Sequence, residues 1–130
     1  MANATALKKT RVAWGTLAAA DTGGCVISWQ NTEGQSIIIT RVVIDVTTVA
    51  TGACTIDIGT TATSGTTSSD TLLDGLDVNS ATGTFDNVND GGTNGKARQK
   101  LASAKWVTAS KASGAAAGLV GTFYIEYLLA

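Results

Sequence analysis

Period-two alternation restricts the fold of this chain more than any other feature of its sequence. In the run Ile38-Ile39-Thr40-Arg41-Val42-Val43-Ile44-Asp45-Val46-Thr47-Thr48, Ile38, Val42, Ile44 and Val46 share one face of an extended chain, while Arg41, Asp45 and Thr47 take the other. A strand with one apolar face needs a second layer to cover it. A turn signal at Ala50-Thr51-Gly52 follows, and then Cys54, Ile56 and Ile58 alternate with Thr55 and Asp57. The two runs therefore read as a hairpin or as neighbouring strands, with Asp45 and Asp57 on the outer face if they pair. The closing segment repeats the pattern. Leu119, Phe123, Ile125, Tyr127 and Leu129 form one face, with Val120, Thr122, Tyr124, Glu126 and Leu128 opposite. Large apolar residues stand on both faces, which makes Val120, Tyr124 and Leu128 a candidate contact surface.

Shorter strands are predicted over residues 12–14, 24–30, 83–85, 97–101 and 105–110, separated by clusters of Gly, Thr, Asn and Asp. The chain has no proline, and β-branched residues concentrate in the predicted strands. Only residues 69–76 have helical possibilities, as a short turn at most. At 130 residues the length suits one core. The expectation is an all-β, single-domain jelly-roll-like sandwich over residues 12–130, preceded by a flexible arm over residues 1–11. Residues 60–69 are nearly all small and polar, and residues 87–95 form a Gly/Asn/Asp tract; both loops are expected to be mobile or ordered by a partner. With 15 glycines and few bulky side chains, self-association is a plausible supplement to the core.

The chain contains no histidine, which removes Ser-His-Asp, Cys-His and His-based zinc chemistry. Two cysteines, Cys25 and Cys54, are too few for a disulfide scaffold or a thiolate zinc site and read as small buried hydrophobes, with a pairing between them left open. Asp70, Asp74 and Asp77 offer carboxylates for acid–base work, but the plainer account is that they cap a loop between strands. Asp86, Asn87, Asn89 and Asp90 bring hard oxygen ligands before Gly91-Gly92, yet Val88 and Ala97 occupy positions where a calcium loop needs oxygen donors, so a turn is the better reading. Gly95-Lys96 precedes a strand, not the helix that a phosphate cradle opens. Trp14, Trp29 and Trp106 each lie in a predicted strand, where tryptophan is ordinarily core, though together they would suit sugar stacking. No cofactor is called for.

Charge excludes another class. The net charge is −1, and the cations disperse apart from Lys8, Lys9 and Arg11 near the start and Lys96, Arg98 and Lys100 later, so no nucleic-acid partner is expected. The opening Met1-Ala2-Asn3-Ala4-Thr5-Ala6-Leu7-Lys8-Lys9 lacks the apolar core of an export signal. The apolar stretches at 37–46 and 119–129 are interrupted by Arg41, Asp45, Thr122 and Glu126 and fall short of the ~20 residues that span a bilayer. A soluble chain made in the cytoplasm, with no membrane partner, is the expectation.

Four segments carry a family resemblance: Thr40-Arg41-Val42-Val43-Ile44-Asp45-Val46, Gly52-Ala53-Cys54-Thr55-Ile56-Asp57-Ile58-Gly59, Ser69-Asp70-Thr71-Leu72-Leu73-Asp74-Gly75-Leu76-Asp77 and Gly118-Leu119-Val120-Gly121-Thr122-Phe123-Tyr124-Ile125-Glu126-Tyr127. The region from Ile38 onward resembles the jelly-roll proteins that decorate or cement tailed-bacteriophage capsids. The resemblance implies a virion protein on the capsid exterior, a homotrimer that bridges major capsid protein subunits, with no enzymatic activity. It transfers no individual functional residue. On the residues themselves, the basic arm with Lys8, Lys9 and Arg11 is too polar to fold alone and is expected to order against a capsid, while Val120, Tyr124 and Leu128 are expected to meet another copy. The rival readings are a phage tail, fibre or baseplate component that binds a receptor, a carbohydrate-binding module using the tryptophans, and an enzyme built on Asp70, Asp74 or Asp77.

Overall fold

The computed structural model describes residues 9–19 and 25–130, in which nine β-strands occur and no helix. The strands are β1 (Arg11–Thr16), β2 (Ile27–Gln30), β3 (Ile37–Thr48), β4 (Cys54–Thr61), β5 (Leu73–Asp77), β6 (Gly83–Asp86), β7 (Gln99–Leu101), β8 (Trp106–Gly114) and β9 (Val120–Leu129). They divide into two antiparallel sheets. One runs β1-β9-β3, with β6 and β7 placed end to end along the remaining edge of β3; the other runs β2-β8-β4-β5. Pairing is nested: β1 with β9, β2 with β8, β3 with β6 and β7, and β4 with β5. This is the jelly-roll arrangement, in which a long antiparallel ribbon is rolled into two facing sheets. The inner faces make the core, with Ile39, Val42, Ile44 and Ile125 from one sheet and Ile58 and Val107 from the other fully buried. Aromatic packing bridges the layers at one end, where Trp29 on β2 and Tyr127 on β9 pack with ring centroids 5.5 Å apart and planes tilted by 41°.

The longest strand departs from the simple alternation. Ile37 and Ile39 are buried, and so are Val42, Ile44 and Val46, so the inward set changes from odd to even positions within β3. A register shift against β9 between Ile39 and Arg41 absorbs one residue, Thr40, and turns Ile38 to the outer side. Ile38 therefore does not share a face with Val42, as its even number suggested. β3 and β4 do not pair either. β9 holds one edge of β3 and β6 and β7 hold the other, so the chain crosses to the opposite sheet, where β4 lies between β8 and β5. The segment 69–76 holds a strand, not a helical turn. Leu73 and Leu76 both point inward despite their helix-like spacing, because a single residue of β4, Asp57, opposes two of β5, Asp74 and Gly75, and Gly75 has a φ of 76°.

Both polar loops are held by bonds within the chain. Thr61 Oγ1 donates to Ser64 O over 2.8 Å, and Thr108 Oγ1 donates to Thr67 O over 2.7 Å. In the 87–95 tract, buried Asn87 accepts from Val42 N at 2.7 Å and donates to Lys96 O at 2.8 Å, tying the loop to β3. A second buried amide, Asn31, ties the β2–β3 turn to the β7–β8 turn. Its Nδ2 donates to Gln35 O at 2.9 Å and Ala102 O at 3.0 Å, while its Oδ1 accepts from Glu33 N at 3.1 Å. Replacing Asn31→Ala removes these bonds and empties the fully buried site of the amide, and is expected to lower unfolding free energy by about 2 kcal/mol, read from the denaturant midpoint.

Candidate functional site

The outer faces of the two sheets differ in kind. On the β2-β8-β4-β5 sheet, Val107 and Ala109 point inward, leaving Trp106, Thr108 and Ser110 outward. The 62–71 loop folds over them, and Thr108 is fully buried beneath it. Gly65 permits this close approach: a Cβ there would lie 2.8 Å from the Trp106 ring and 2.2 Å from Ser28 Oγ. Nothing comparable covers the other sheet among the described residues. Its outer face carries Val12, Trp14, Val120 and Tyr124, exposed by 53, 71, 54 and 38%. Register brings three apolar side chains into one row across the strands, since Trp14 stands opposite Tyr124 and Tyr124 opposite Val43. The row ends at β1, the edge strand. It is flanked by Glu126 and Arg41 on one side and by Thr16, Thr122 and Asp45 on the other. A contiguous apolar patch with a polar rim, on a sheet whose opposite face is already core, is the pattern of a protein-binding surface.

The residues expected at an oligomer interface, Val120, Tyr124 and Leu128, all lie on this outer face, Leu128 being the most covered of the three. The sequence pattern did not single out Val12 and Trp14 beside them. Trp14 reads as core because it lies in a strand, but among the described residues β1 has β9 on one side and no strand on the other, and its outward residues Val12 and Trp14 are exposed. Trp29 and Trp106 do not join it. Trp29 packs on Tyr127 between the sheets and Trp106 lies on the far side under the 62–71 loop.

Of the basic arm, Lys8 lies outside the described residues and Lys9 is exposed immediately before β1. Arg11 is the first residue of β1, paired with Tyr127, because the β1·β9 ladder extends to this position. Its guanidinium forms an ion pair with Glu33, whose other carboxylate oxygen accepts the Tyr127 hydroxyl at 2.9 Å. Burial, and then the Glu33 carboxylate, hold the Tyr127 phenol above its ordinary pKa. Arg11 thus spends its charge inside the molecule.

The carboxylates expected to cap loops do so. Asp77 accepts from Asn79 N at 2.8 Å and Ser80 N at 3.1 Å, and its bonds to Ser80 and Asn79 hold it below the ordinary carboxylate pKa. Asp70 and Asp74 accept from the Asn94 side chain and backbone at 2.9 and 3.1 Å. Asp86 accepts from Val88 N and Asn89 N at 2.8 and 2.9 Å, as an Asx turn does. Burial pushes Asp86 up, but the bonds from Asn89 and Val88, with Arg41 nearby, outweigh it and bring the group below its usual value. No cluster of three metal-ligating side chains occurs among the described residues. Cys25 and Cys54 are free thiols, and burial pushes Cys54 up. Lys96, Arg98 and Lys100 are all exposed.

No protein family and no curated protein matches the sequence. Two solved structures match the fold over nearly the whole chain. One is a chain of the capsid of Ralstonia phage GP4, with a TM-score of 0.64 at 16% identity, covering 100% of this chain and 91% of that one. The other is a chain of the acidic stable capsid structure of Helicobacter pylori bacteriophage KHP30, with a TM-score of 0.55 at 13% identity, covering 95% of this chain and 94% of that one. The fold is one that chains of phage capsids adopt.

Asp57 supplies a pH-dependent test of the polar side. It accepts Gly75 N–H at 2.8 Å, and burial, with Asp74 and Asp70 nearby, raises its pKa. A raised folded pKa favours the folded state at low pH, and that contribution disappears as pH rises through the folded value. Asp57→Asn keeps the acceptor and loses the charge. It is expected to raise the denaturant midpoint at neutral pH, with the gain shrinking to nothing below the ordinary carboxylate range.

Proposed function

We propose that this chain is a structural protein of a phage virion, a decoration or cement protein that binds the outside of the head as a homotrimer and bridges major capsid protein subunits. The observation that carries the reading is the apolar row Trp14–Tyr124–Val43, exposed at Trp14 and Tyr124, on a fold shared with phage-capsid chains. An exposed tryptophan beside a tyrosine is the composition of an interface anchor. In this reading Val120, Tyr124 and Leu128 meet another copy around a threefold axis, and Trp14 and Val12 extend the contact. The arm, with Lys8 and Lys9, reaches the capsid, while Arg11, paired with Glu33, anchors the arm's root to the domain. Three arms on one trimer would add modest contacts into firm attachment.

The decisive measurements are the solution mass of the purified chain and its co-sedimentation with capsids. A trimer that pellets with heads is expected; a monomer overturns the trimeric reading. The double variant Trp14→Ser/Tyr124→Ser is expected to be monomeric with a stability within ~0.5 kcal/mol of the parent, since exposed sites contribute little to folding. Deleting residues 2–10 is expected to abolish capsid occupancy while leaving the thermal transition in place; unchanged occupancy removes that role from the arm. The exposure of Trp14 favours a second reading, glycan binding by a single stacking tryptophan. Glycan binding that Trp14→Ala abolishes, from a chain that ignores capsids, would replace the first reading by this one.

A further inference from the structure

We propose that Asn94-Gly95 is a self-modifying site, at which the chain converts Asn94 into aspartate or isoaspartate and thereby releases the 87–95 loop from the turn before β5. This inference is independent of the virion reading. Asn94 is exposed, and its successor has no side chain to shield the backbone nitrogen. The Gly95 N–H makes no hydrogen bond among the described residues, which leaves it free to act as a nucleophile. After losing its proton to hydroxide, that nitrogen attacks Cγ of Asn94; the N–Cγ bond forms, the Cγ–Nδ2 bond breaks, and ammonia departs. Water then opens the five-membered imide at either carbonyl. The net change is an amide and a water converted to a carboxylic acid and ammonia, with no oxidant or cofactor. Asp74-Gly75 provides the internal contrast, because its glycine nitrogen is committed to Asp57 Oδ1 at 2.8 Å.

The site's surroundings give the conversion a consequence. Asn94 Nδ2 donates to Asp70 Oδ2 at 2.9 Å, and Asn94 N donates to Asp74 Oδ2 at 3.1 Å, so one residue holds two carboxylates. A carboxylate in place of the amide removes the first donor and sets a third negative charge against the pair. Isoaspartate would also lengthen the backbone where Gly95 is tightly packed: a Cβ there would lie 2.0 Å from Gly91 O and 2.6 Å from Leu72 O. The loop must open to accommodate it. The bond from Lys96 N to Thr71 O, at 3.0 Å, marks where that opening should stop.

The test is incubation of the folded full-length chain at mildly alkaline pH, with peptide mapping and isoaspartate labelling. An acidic species is expected to accumulate faster as pH rises, with the new acid at position 94, and to be lost completely in Asn94→Gln. The Asn94→Asp variant is expected to exchange its 87–95 amides several-fold faster than the parent while the strand amides stay protected. If the folded chain keeps its Asn94 amide for as long as the denatured chain takes to lose it, or if the acid maps to Asn79, Asn87 or Asn89, the site is not self-modifying. If Asn94→Asp leaves loop exchange unchanged, the release is overturned.

Discussion

The antiparallel ladder between β3 and β9, running from Ile37↔Leu129 to Thr48↔Val120, is the constraint on which the other parts of the molecule depend. It joins two strands distant in sequence, and each of them then offers its other edge: β9 receives β1, and β3 receives β6 and β7. Its inner side supplies Ile44, Phe123 and Ile125 to the core. Its outer side aligns Tyr124 with Val43 and, through β1, with Trp14. The register shift at Thr40 is a necessary part of this arrangement. Without that one-residue adjustment, either Ile37 and Ile39 or Val42 and Ile44 would face outward.

How much of this could be read from the sequence varied with how local the cause was. The two faces of β9 were legible because unbroken alternation from Leu119 to Leu129 needs no knowledge of neighbours. The strand within residues 69–76 was missed because the bulge at Gly75 breaks its alternation, placing Leu73 and Leu76 on one face. Ile38 was assigned to the wrong face because the register shift at Thr40, in β3, interrupts the alternation. The order of the 60–69 and 87–95 loops was invisible, since the groups that hold them, Thr108, Val42 and Lys96, are elsewhere in the chain or act through backbone atoms. At the candidate site, Val120 and Tyr124 emerged from pattern alone. Trp14 did not, because its exposure follows from β1 being an edge, and edge position is a property of topology.

The contrast between the outer faces connects fold to function. Each sheet of a jelly roll needs one apolar face for the shared core and leaves the other to be managed separately. Here the β2-β8-β4-β5 sheet uses hydroxyls and glycines under its own loop, which covers that face from within the chain. The β1-β9-β3 sheet keeps aromatic and aliphatic side chains on view between charged neighbours. Such a division makes the two outer faces of the domain chemically unlike each other. The likeness to phage-capsid chains, at identities of 16 and 13%, is a likeness of fold and does not extend to these surface residues.

The Glu33 carboxylate, held between Arg11 and the Tyr127 hydroxyl, has a mechanical meaning. Tension drawn along the chain ahead of β1 would enter the domain at Arg11 and run along the strand axis. It would load the six β1·β9 pairs together in shear instead of peeling them one at a time. Through Tyr127 the same load reaches Trp29 and hence the opposite sheet. At Arg11 the chain is thus held by the Glu33 contact as well as by the β1·β9 ladder.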